Sequence, residues 1–386
     1  MPLPVLHSRR TLLLACLLTL APLARGDLWE SNSWQLTDIL TAKTGYDSNL
    51  TLSHGGPGDG FFILNPDITL ARRDSSTEFQ VTGGATHTEF FHDRQPKETD
   101  LNFDAVYAYP NAENVIPLYN GEATWIQTSE PDSFLGARVR YEQLNATATG
   151  FLPLTGKLGL RGTTDYASTH YDSSSLNFDQ RGDAFVGLAY QRDSQNEISL
   201  NFGAALGSSV PNDPTQLNAV VHSREYYIIA KMQGAITTKI TGDAYAGFGL
   251  VDYSGAYTNQ KRLPVGGADL TWAIDPVRTL SLSASSDASY SPDGSIAEIT
   301  LASLTFTQVI ADIWQYSLSA GTTESIYSRE VHQRTDNSWN FGTEFAYQPS
   351  ERFRIFLDLN YTDQNSDVSY AILTHYVVSL GSSYRF

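Results

Sequence analysis

Apolar and polar residues alternate with a period of two along most of the chain. In the last segment, "THYVVSLGSSYRF", Tyr376, Leu380 and Tyr384 share one parity, whereas Ser379 and Arg385 share the other. Such alternation predicts β-strands with one apolar and one polar face. Neighbouring segments such as "RFRIFLDLNYTD" and "SWNFGTEFAY" repeat the pattern. The chain is therefore predicted to be a succession of strands.

The connections between these strands are short on one side and long on the other. Short turns such as "QRDSQNE", "AIDPVRT" and "YQPSERF" alternate with longer polar loops such as "HGGPGDG", "HDRQPKETD", "SSVPNDPTQLN" and "SREVHQRTDN". This asymmetry is typical of outer-membrane barrels, whose even strand number places both termini on the periplasmic side. Counting back from Phe386 gives about eighteen strands, with sixteen as the alternative. The predicted strands are 34–47, 60–73, 77–91, 100–110, 119–128, 134–145, 156–171, 176–190, 196–208, 220–233, 239–256, 262–274, 279–290, 296–308, 314–328, 338–348, 352–364 and 372–386.

A secreted soluble β-protein is the competing fold, because its strands also alternate when one face covers a core. The predicted strands run to roughly 10–15 residues, longer than the ~5–6 usual in globular proteins. Tyr, Trp and Phe recur near strand ends, as in the aromatic girdles of membrane barrels. The polar face also carries charges in its middle. These features favour an all-β fold, a transmembrane antiparallel up-and-down β-barrel with a water-filled lumen.

The first 26 residues differ from the rest of the chain. Arg9 and Arg10 precede an apolar run that ends in small residues, which predicts a secretory signal peptide cleaved after Gly26. A lipoprotein signal and a twin-arginine signal are the alternatives. Cys16 lies inside the apolar run and is the only cysteine, so the mature barrel of residues 27–386 has no thiol. Disulfides, thiolate metal sites and cysteine nucleophiles are thereby excluded.

The charge balance narrows the class of partner. The chain has 25 Lys and Arg against 42 Asp and Glu, and loss of the signal peptide leaves 22 basic residues and a net charge of −20. This acidity disfavours nucleic acid as a partner. No later segment approaches the ~18 consecutive apolar residues of a membrane helix. We expect the outer membrane of a Gram-negative cell, with its lipids as partners, and the sequence leaves the oligomeric state open.

A short motif follows the first predicted strand: Tyr46, Asp47, Ser48 and Asn49, "YDSN". Together with the strand "NPDITL" and the ladder of hairpins over 34–386, it resembles the outer-membrane barrels of exopolysaccharide operons, the EpsL-like group also called β-barrel porin 2. The resemblance implies a pore associated with export of a surface polysaccharide, with that polymer and periplasmic export components as partners. The motif is alternatively a plain turn, since Asp, Ser and Asn bond their own backbone.

Catalytic and metal-binding patterns were sought because a membrane barrel can also be an enzyme. The histidines are scattered, with no H-E-x-x-H motif, no close metal-ligand spacing and no phosphate-binding G-x-x-x-x-G-K-[ST] loop. A Ser-His-Asp site stays open, because triads are spatial. The sequence predicts a protein that is not an enzyme and has no cofactor or metal. The alternatives are a lipid- or glycan-modifying enzyme and a plugged barrel that serves as a surface scaffold.

Charged residues on the predicted inner face are the candidates for function. They are Arg138, Arg140, Glu142, Arg161, Asp165, Asp179, Arg181, Asp183, Asp243, Asp287, Glu344, Arg354, Asp358 and Arg385. Opposite charges on neighbouring strands can pair and stiffen the wall. Charges left over would set the field that a solute meets in a pore. The acidity of the loops favours cations or neutral sugars at the mouth.

The chain ends on an aromatic residue, with another two places earlier. Tyr384 and Phe386 in a final strand resemble the signal by which the barrel-assembly machinery recognises its clients. We therefore expect that machinery as a partner and the last strand to pair with the first, because closure leaves no free sheet edge.

Overall fold

The structure is a computed structural model. It describes residues 29–31, 33–74, 76–92, 95–110, 116–132, 135–213, 215, 220–255, 259–292, 295–328 and 333–386. The predicted signal peptide, residues 1–26, lies outside the described residues. The strands are β1 (Trp29–Ser31), β2 (Trp34–Asp47), β3 (Asp59–Arg73), β4 (Glu78–Phe90), β5 (Glu98–Tyr109), β6 (Tyr119–Asp132), β7 (Ala137–Pro153), β8 (Leu158–Tyr171), β9 (Asn177–Asp193), β10 (Asn196–Pro211), β11 (Val221–Ala235), β12 (Ile240–Gly255), β13 (Asn259–Asp275), β14 (Arg278–Tyr290), β15 (Ile296–Ile310), β16 (Trp314–Ser328), β17 (Gln333–Ser350), β18 (Phe353–Ser366) and β19 (Leu373–Arg385).

Strands β2 to β19 form one closed antiparallel barrel. Each strand pairs with the next along the chain. The last strand, β19, pairs with β2, from Val377 opposite Asp47 to Arg385 opposite Ile39. The prediction of an eighteen-stranded up-and-down barrel is confirmed, and sixteen strands are excluded. Strand β1 only extends the start of β2, and a 3₁₀ turn at Ser369–Ala371 precedes β19.

The two ends of the barrel differ in the length of the connections between strands. The connection 48–58 between β2 and β3 lies at what we call the loop end, and the connection 74–77 lies at the turn end. Within the latter turn, the N–H groups of Ser76 and Thr77 donate to Asp74. These bonds hold the pKa of the Asp74 carboxyl below its ordinary value, since they stabilise the charged form.

The outer face of the wall is apolar. Phe248, for example, is 70% exposed. The large apolar side chains exposed on this face include Ile68, Phe103, Leu144, Val186, Leu188, Ile198, Phe202, Tyr226, Trp272, Leu304, Leu318, Trp339, Phe341, Leu357, Leu359 and Leu380. The inner face carries hydroxyl, amide and charged side chains. Continuous exposed apolar surface of this extent marks contact with a membrane or another protein.

At the loop end, the hairpin of β14 and β15 folds into the lumen. Its pairing with β13 stops at Gly266 opposite Ser286, although both strands continue. The inner-face residues Val221, Val251 and Leu263 of β11 to β13 pack against Ile296 of the hairpin tip. The tip therefore separates from β13, while β15 stays paired with β16 up to Ile296 opposite Ser328, and it covers apolar side chains that would otherwise face water.

The hairpin of β6 and β7 separates from its neighbour β5 in a similar way. Its pairing with β5 stops at Leu101 opposite Gln127. Above that point, Arg138 lies over the ring of Phe90, 5.6 Å from the ring centroid, and bonds Glu98. Because Phe90 belongs to the inner face of β4, this contact places the tip inside the barrel.

The 48–58 connection also turns inward. Leu50 has no exposed surface and packs against Phe61 and Phe90. Leu52 lines a cavity of about 290 Å³ together with Pro131 and Tyr290, one from each folded hairpin. The two hairpins and this connection therefore narrow the lumen at the loop end.

Candidate functional site

A chamber lies in the lumen against the inner faces of β6 to β14. Its volume is about 500 Å³. Its floor is Ile116 and Pro117 of the connection between β5 and β6, and the Ile116 N–H donates to the Ser194 carbonyl at 3.0 Å. On the side of the loop end it is lined by Ser286 and Asp287 of β14. Backbone from both ends of the barrel therefore bounds the chamber.

Arg161 of β8 and Glu197 of β10 form an ion pair in the chamber wall. Arg161 Nε lies 2.5 Å from Glu197 Oε1, and Nη2 lies 2.7 Å from Oε2. The side chains are 7% and 1% exposed, and the guanidinium lies over the ring of Phe151. A bidentate pair this deeply buried fixes both side chains, and removing one partner would leave the other charge uncompensated.

Arg181 of β9 is held by two carboxylates. Its Nη2 donates to Glu225 at 2.8 Å, and Nη1 lies 3.6 Å from Asp287. The hydroxyl of Tyr227 donates to the same Glu225. Asp287 belongs to the folded hairpin, which bounds the chamber toward the loop end and forms its roof. Arg181 therefore connects the roof of the chamber to its wall.

The remaining charges of the chamber are less evenly matched. Lys231 lies 3.5 Å from Asp243. Asp165 accepts a 2.6 Å hydrogen bond from Thr147 and lies directly opposite Asp183 on the neighbouring strand. Oδ1 of Asp183 accepts no hydrogen bond from the described residues. Two carboxyl groups directly opposite each other can both be ionised only at a cost, and one proton shared between them removes the repulsion.

The structure brings five of the predicted residues together in the chamber and separates the others. Those in the chamber are Arg161, Asp165, Arg181, Asp183 and Asp287. Asp243 pairs with Lys231 and is not in the chamber lining, and Asp179 lines a second lumen cavity of about 340 Å³ on the side of the loop end. Glu344, Arg354, Asp358 and Arg385 lie on the inner face of the opposite wall. There, Arg354 pairs with Glu344, and Lys43 lies 3.4 Å from Asp358.

The predicted inward positions on β7 need correction. Arg140 and Glu142 share the parity of Leu144 and Leu152, which are exposed on the outer face, so they point outward. Tyr141 has the opposite parity, and its ring packs inside the barrel against Tyr171.

Arg138 is a different case. It also lies on the outward parity, but the hairpin tip has turned into the lumen, so its side chain meets the inner wall. It donates to Glu98 at 2.8 and 2.9 Å. Arg138 is thus a bond between tip and wall and not part of an open lining.

The "YDSN" motif forms a turn at the barrel seam. Asp47 Oδ1 accepts from the Asn49 N–H at 2.8 Å and lies 2.9 Å from His375 Nε2. Ser48 Oγ accepts from the Tyr376 N–H at 2.8 Å, and Tyr46 lies beside the ring of Tyr376. These polar atoms are used in joining β2 to β19.

The terminal aromatics lie at the turn end of the same seam. Tyr384 stands opposite Leu40, its ring centroid lies 4.8 Å from that of Phe386, and the Phe386 N–H donates to the Asp38 carbonyl. Recognition by the assembly machinery stays a prediction.

Sequence reasoning missed several residues of the chamber. They are Glu197, Glu225, Lys231, Tyr227, Ile116 and Pro117. The parity of "NEISLNF" could have identified Glu197, since it alternates with the outward Ile198 and Leu200. The 110–118 segment could have been noticed because it is longer than the other connections at the turn end.

The described residues contain no cluster of three or more His, Asp or Glu side chains that could hold a metal ion. Two Asp–His contacts are present, Asp47 with His375 and Asp59 with His92. Neither imidazole is bonded to a serine hydroxyl within the part of the chain that is described. In that part, no helix is long and apolar enough to cross a membrane.

Comparison with known proteins gives only distant similarities. No family model matches the chain, and no curated protein matches it. Among solved structures, OccAB2 of Acinetobacter baumannii is 10% identical, with a TM-score of 0.48 over 92% of this chain and 99% of that one. OccK1 (OpdK) of Pseudomonas aeruginosa is also 10% identical, with a TM-score of 0.45 over 91% and 98% of the two chains. At this distance the fold rests on the strand pairing described above, and no solute is carried over from these proteins.

Proposed function

We propose that the protein is an outer-membrane pore that passes hydrophilic solutes without an energy source. The observation that carries the proposal is the closed barrel with an apolar outer face and a polar, charged inner face. Closure satisfies the backbone groups of a sheet in lipid, and side chains along the lumen then select solutes. The long connections would face the outside, with both termini in the periplasm.

The lumen is narrowed at both ends, and this affects the conductance and selectivity expected of the pore. The folded hairpins and Leu50 narrow the loop end, and Ile116 and Pro117 cover part of the turn end. A solute would pass between the chamber and the opposite wall. Such a lumen supports a selective pore of low conductance and not a wide general one.

The finer proposal is a role in passage or export of an exopolysaccharide. It is supported by the "YDSN" and "NPDITL" segments and by the hydroxyl- and amide-rich inner face. Hydroxyl and amide side chains can exchange hydrogen bonds with successive sugar units. The polymer and periplasmic export components would then be partners of the barrel.

Planar-bilayer recording of the refolded barrel tests the pore. We expect small, steady single-channel currents and a preference for cations over anions. The three basic side chains of the chamber are paired with Glu197, Glu225 and Asp243, and Asp165, Asp183 and Asp287 add negative charge. A refolded barrel that carries no current would refute the pore and favour the scaffold alternative.

A deletion strain tests the link to polysaccharide. If the barrel exports polymer, surface polysaccharide should be lost and should accumulate in the periplasm. Unchanged surface polymer in the deletion strain would contradict the export role and leave the general pore in place.

A further inference from the structure

The chamber against β6 to β14 has the dimensions of a binding site. Its volume of about 500 Å³ falls within the range of roughly 300–1,000 Å³ that is usual for small-molecule pockets. It is bounded by the floor at Ile116 and the roof at Asp287. A solute that enters it would be enclosed on several sides and not merely pass along a wall.

Among the described residues, the basic side chains that line the chamber all have a partner. Its three basic side chains, Arg161, Arg181 and Lys231, each have a carboxylate partner: Glu197, Glu225 and Asp243. An anionic solute would have to displace one of these partners. The charge distribution of the chamber therefore disfavours binding of anions.

Carboxylates, in contrast, are in excess. Asp165, Asp183 and Asp287 line the cavity. Glu197, Glu225 and Asp243 lie outside the lining and pair with its three basic side chains, and Asp287 is a second partner of Arg181. Asp165 and Asp183 face each other across β8 and β9, and Oδ1 of Asp183 accepts no hydrogen bond from the described residues. A positive group placed beside this pair would allow both carboxyls to be ionised, and the lumen wall would concentrate the field on it.

The rest of the lining suits a hydroxylated body. Hydroxyl and amide side chains surround the carboxylates: Asn120, Thr147, Thr149, Thr163, Ser199, Asn201 and Gln233. Phe185 and Tyr227, with ring centroids 5.9 Å apart, supply an apolar face on one side. This combination of hydrogen-bonding groups and an aromatic face matches a sugar ring, which has hydroxyls at its edge and C–H groups on its faces.

We propose that this chamber binds a saccharide that carries a protonated amino group, with the ammonium beside Asp165 and Asp183. The inference rests on the proposed pore function and names the solute class that the lumen selects. Neutral sugars would gain the hydroxyl contacts but not the charge contact. Uronic acids would be repelled.

The test uses the full refolded barrel in detergent and binding calorimetry with a glucosamine trisaccharide that has three free amines. We expect binding that weakens at least tenfold when the amines are acetylated. It should weaken at least tenfold in the double variant Asp165→Asn with Asp183→Asn, and less than twofold in Asp104→Asn, which removes a lumen carboxylate outside the chamber. The single variant Asp183→Asn, which preserves shape, should show a smaller loss in the same direction.

Three results would overturn the proposal: equal binding of the acetylated trisaccharide, unchanged binding by the double variant, or equally tight binding of spermidine, which has amines but no sugar. Heat-dependent migration on a gel shows that each variant is folded. Current through the sugar-free barrel is recorded separately. A barrel that conducts but does not bind the amino sugar would support the pore function and refute amino-sugar binding in the chamber. A barrel that binds the amino sugar but carries no current would support the binding site and refute the pore function.

Discussion

The two hairpin tips that fold into the lumen are held there by different kinds of contact. The β14–β15 tip packs Ile296 against Val251 and Leu263, and its carboxylates Asp287 and Glu298 add ion pairs with the wall at its edges. The β6–β7 tip is held by polar contacts: Arg138 bonds Glu98, and the Ser129 N–H donates to Asp100 at 3.0 Å. Residues of both tips line one cavity in the lumen together with Leu52.

This difference shows two ways of replacing a lost strand pairing. When β6 separates from β5, side chains of β5 take over the bonds that its backbone would have made, as Asp100 does for Ser129. When β14 separates from β13, the inner faces of β11 to β13 instead supply an apolar surface. The first tip is fixed by directional bonds, whereas the second depends on buried area, so the two should respond differently to substitution.

The largest effect should come from removing the apolar tip. Replacing residues 288–297 by a two-residue Asp-Gly turn should widen the loop end and raise single-channel conductance several-fold. The cause is steric, since the tip occupies part of the lumen cross-section. Bilayer recording measures it. A folded deletion variant with unchanged conductance would show that the narrow point lies elsewhere, with the turn-end segment at Ile116 as the next candidate.

The next largest effect should come from removing the charge that anchors the β6–β7 tip. Glu98→Gln leaves Arg138 without its carboxylate in a site where the two side chains are only 8% and 15% exposed. We expect a loss of about 3–5 kcal/mol in the free energy of unfolding, the usual cost of breaking a buried pair. Urea titration in lipid vesicles measures it.

Glu122→Gln is the matched control, because Glu122 is an exposed carboxylate of β6. It should change the unfolding free energy by less than about 0.5 kcal/mol. Equal losses in the two variants would mean that Arg138 is not a specific anchor.

The apolar tip should be sensitive to loss of side-chain volume. Leu263→Ala should cost about 2–5 kcal/mol, because it leaves a cavity beneath the tip. Urea titration again gives the value. The comparison variant is Leu206→Ala at an exposed outer position, where a much smaller loss is expected. If Leu263→Ala is as mild as Leu206→Ala, the tip does not pack against the wall.

Much of the barrel follows from sequence, because alternation is a local property. The eighteen strands and the pairing of the last strand with the first follow from parity and from the position of Phe386, whereas the register that sets Val377 opposite Asp47 comes from the structure. Parity fails on β7, where "NATATGF" has no strong alternation and the large Tyr141 suggests the wrong face. In the structure, Leu144 and Leu152 fix the outward side.

The chamber was only partly predictable for a different reason. Parity places Arg161, Arg181 and Asp183 inside, but their pairing with strands two places away depends on the curvature of the barrel. The folding of the tips depends on contacts such as Ile296 with Val251. These residues are far apart in sequence, so no local pattern predicts that they meet.

The smallest effect tests whether the β14–β15 tip packs as tightly as a core. Ile296 is 6% exposed and lies on the face toward Val251, whereas Ile299 lines the cavity of about 290 Å³ that remains in the lumen. Ile296→Val should therefore cost about 0.5–1.5 kcal/mol of unfolding free energy, the usual value for a buried methylene. Ile299→Val should cost less, because a methylene beside a cavity has fewer neighbours to lose. Urea titration of the two variants side by side gives the difference, and equal costs would mean that the tip is buried on both faces and fills the mouth completely.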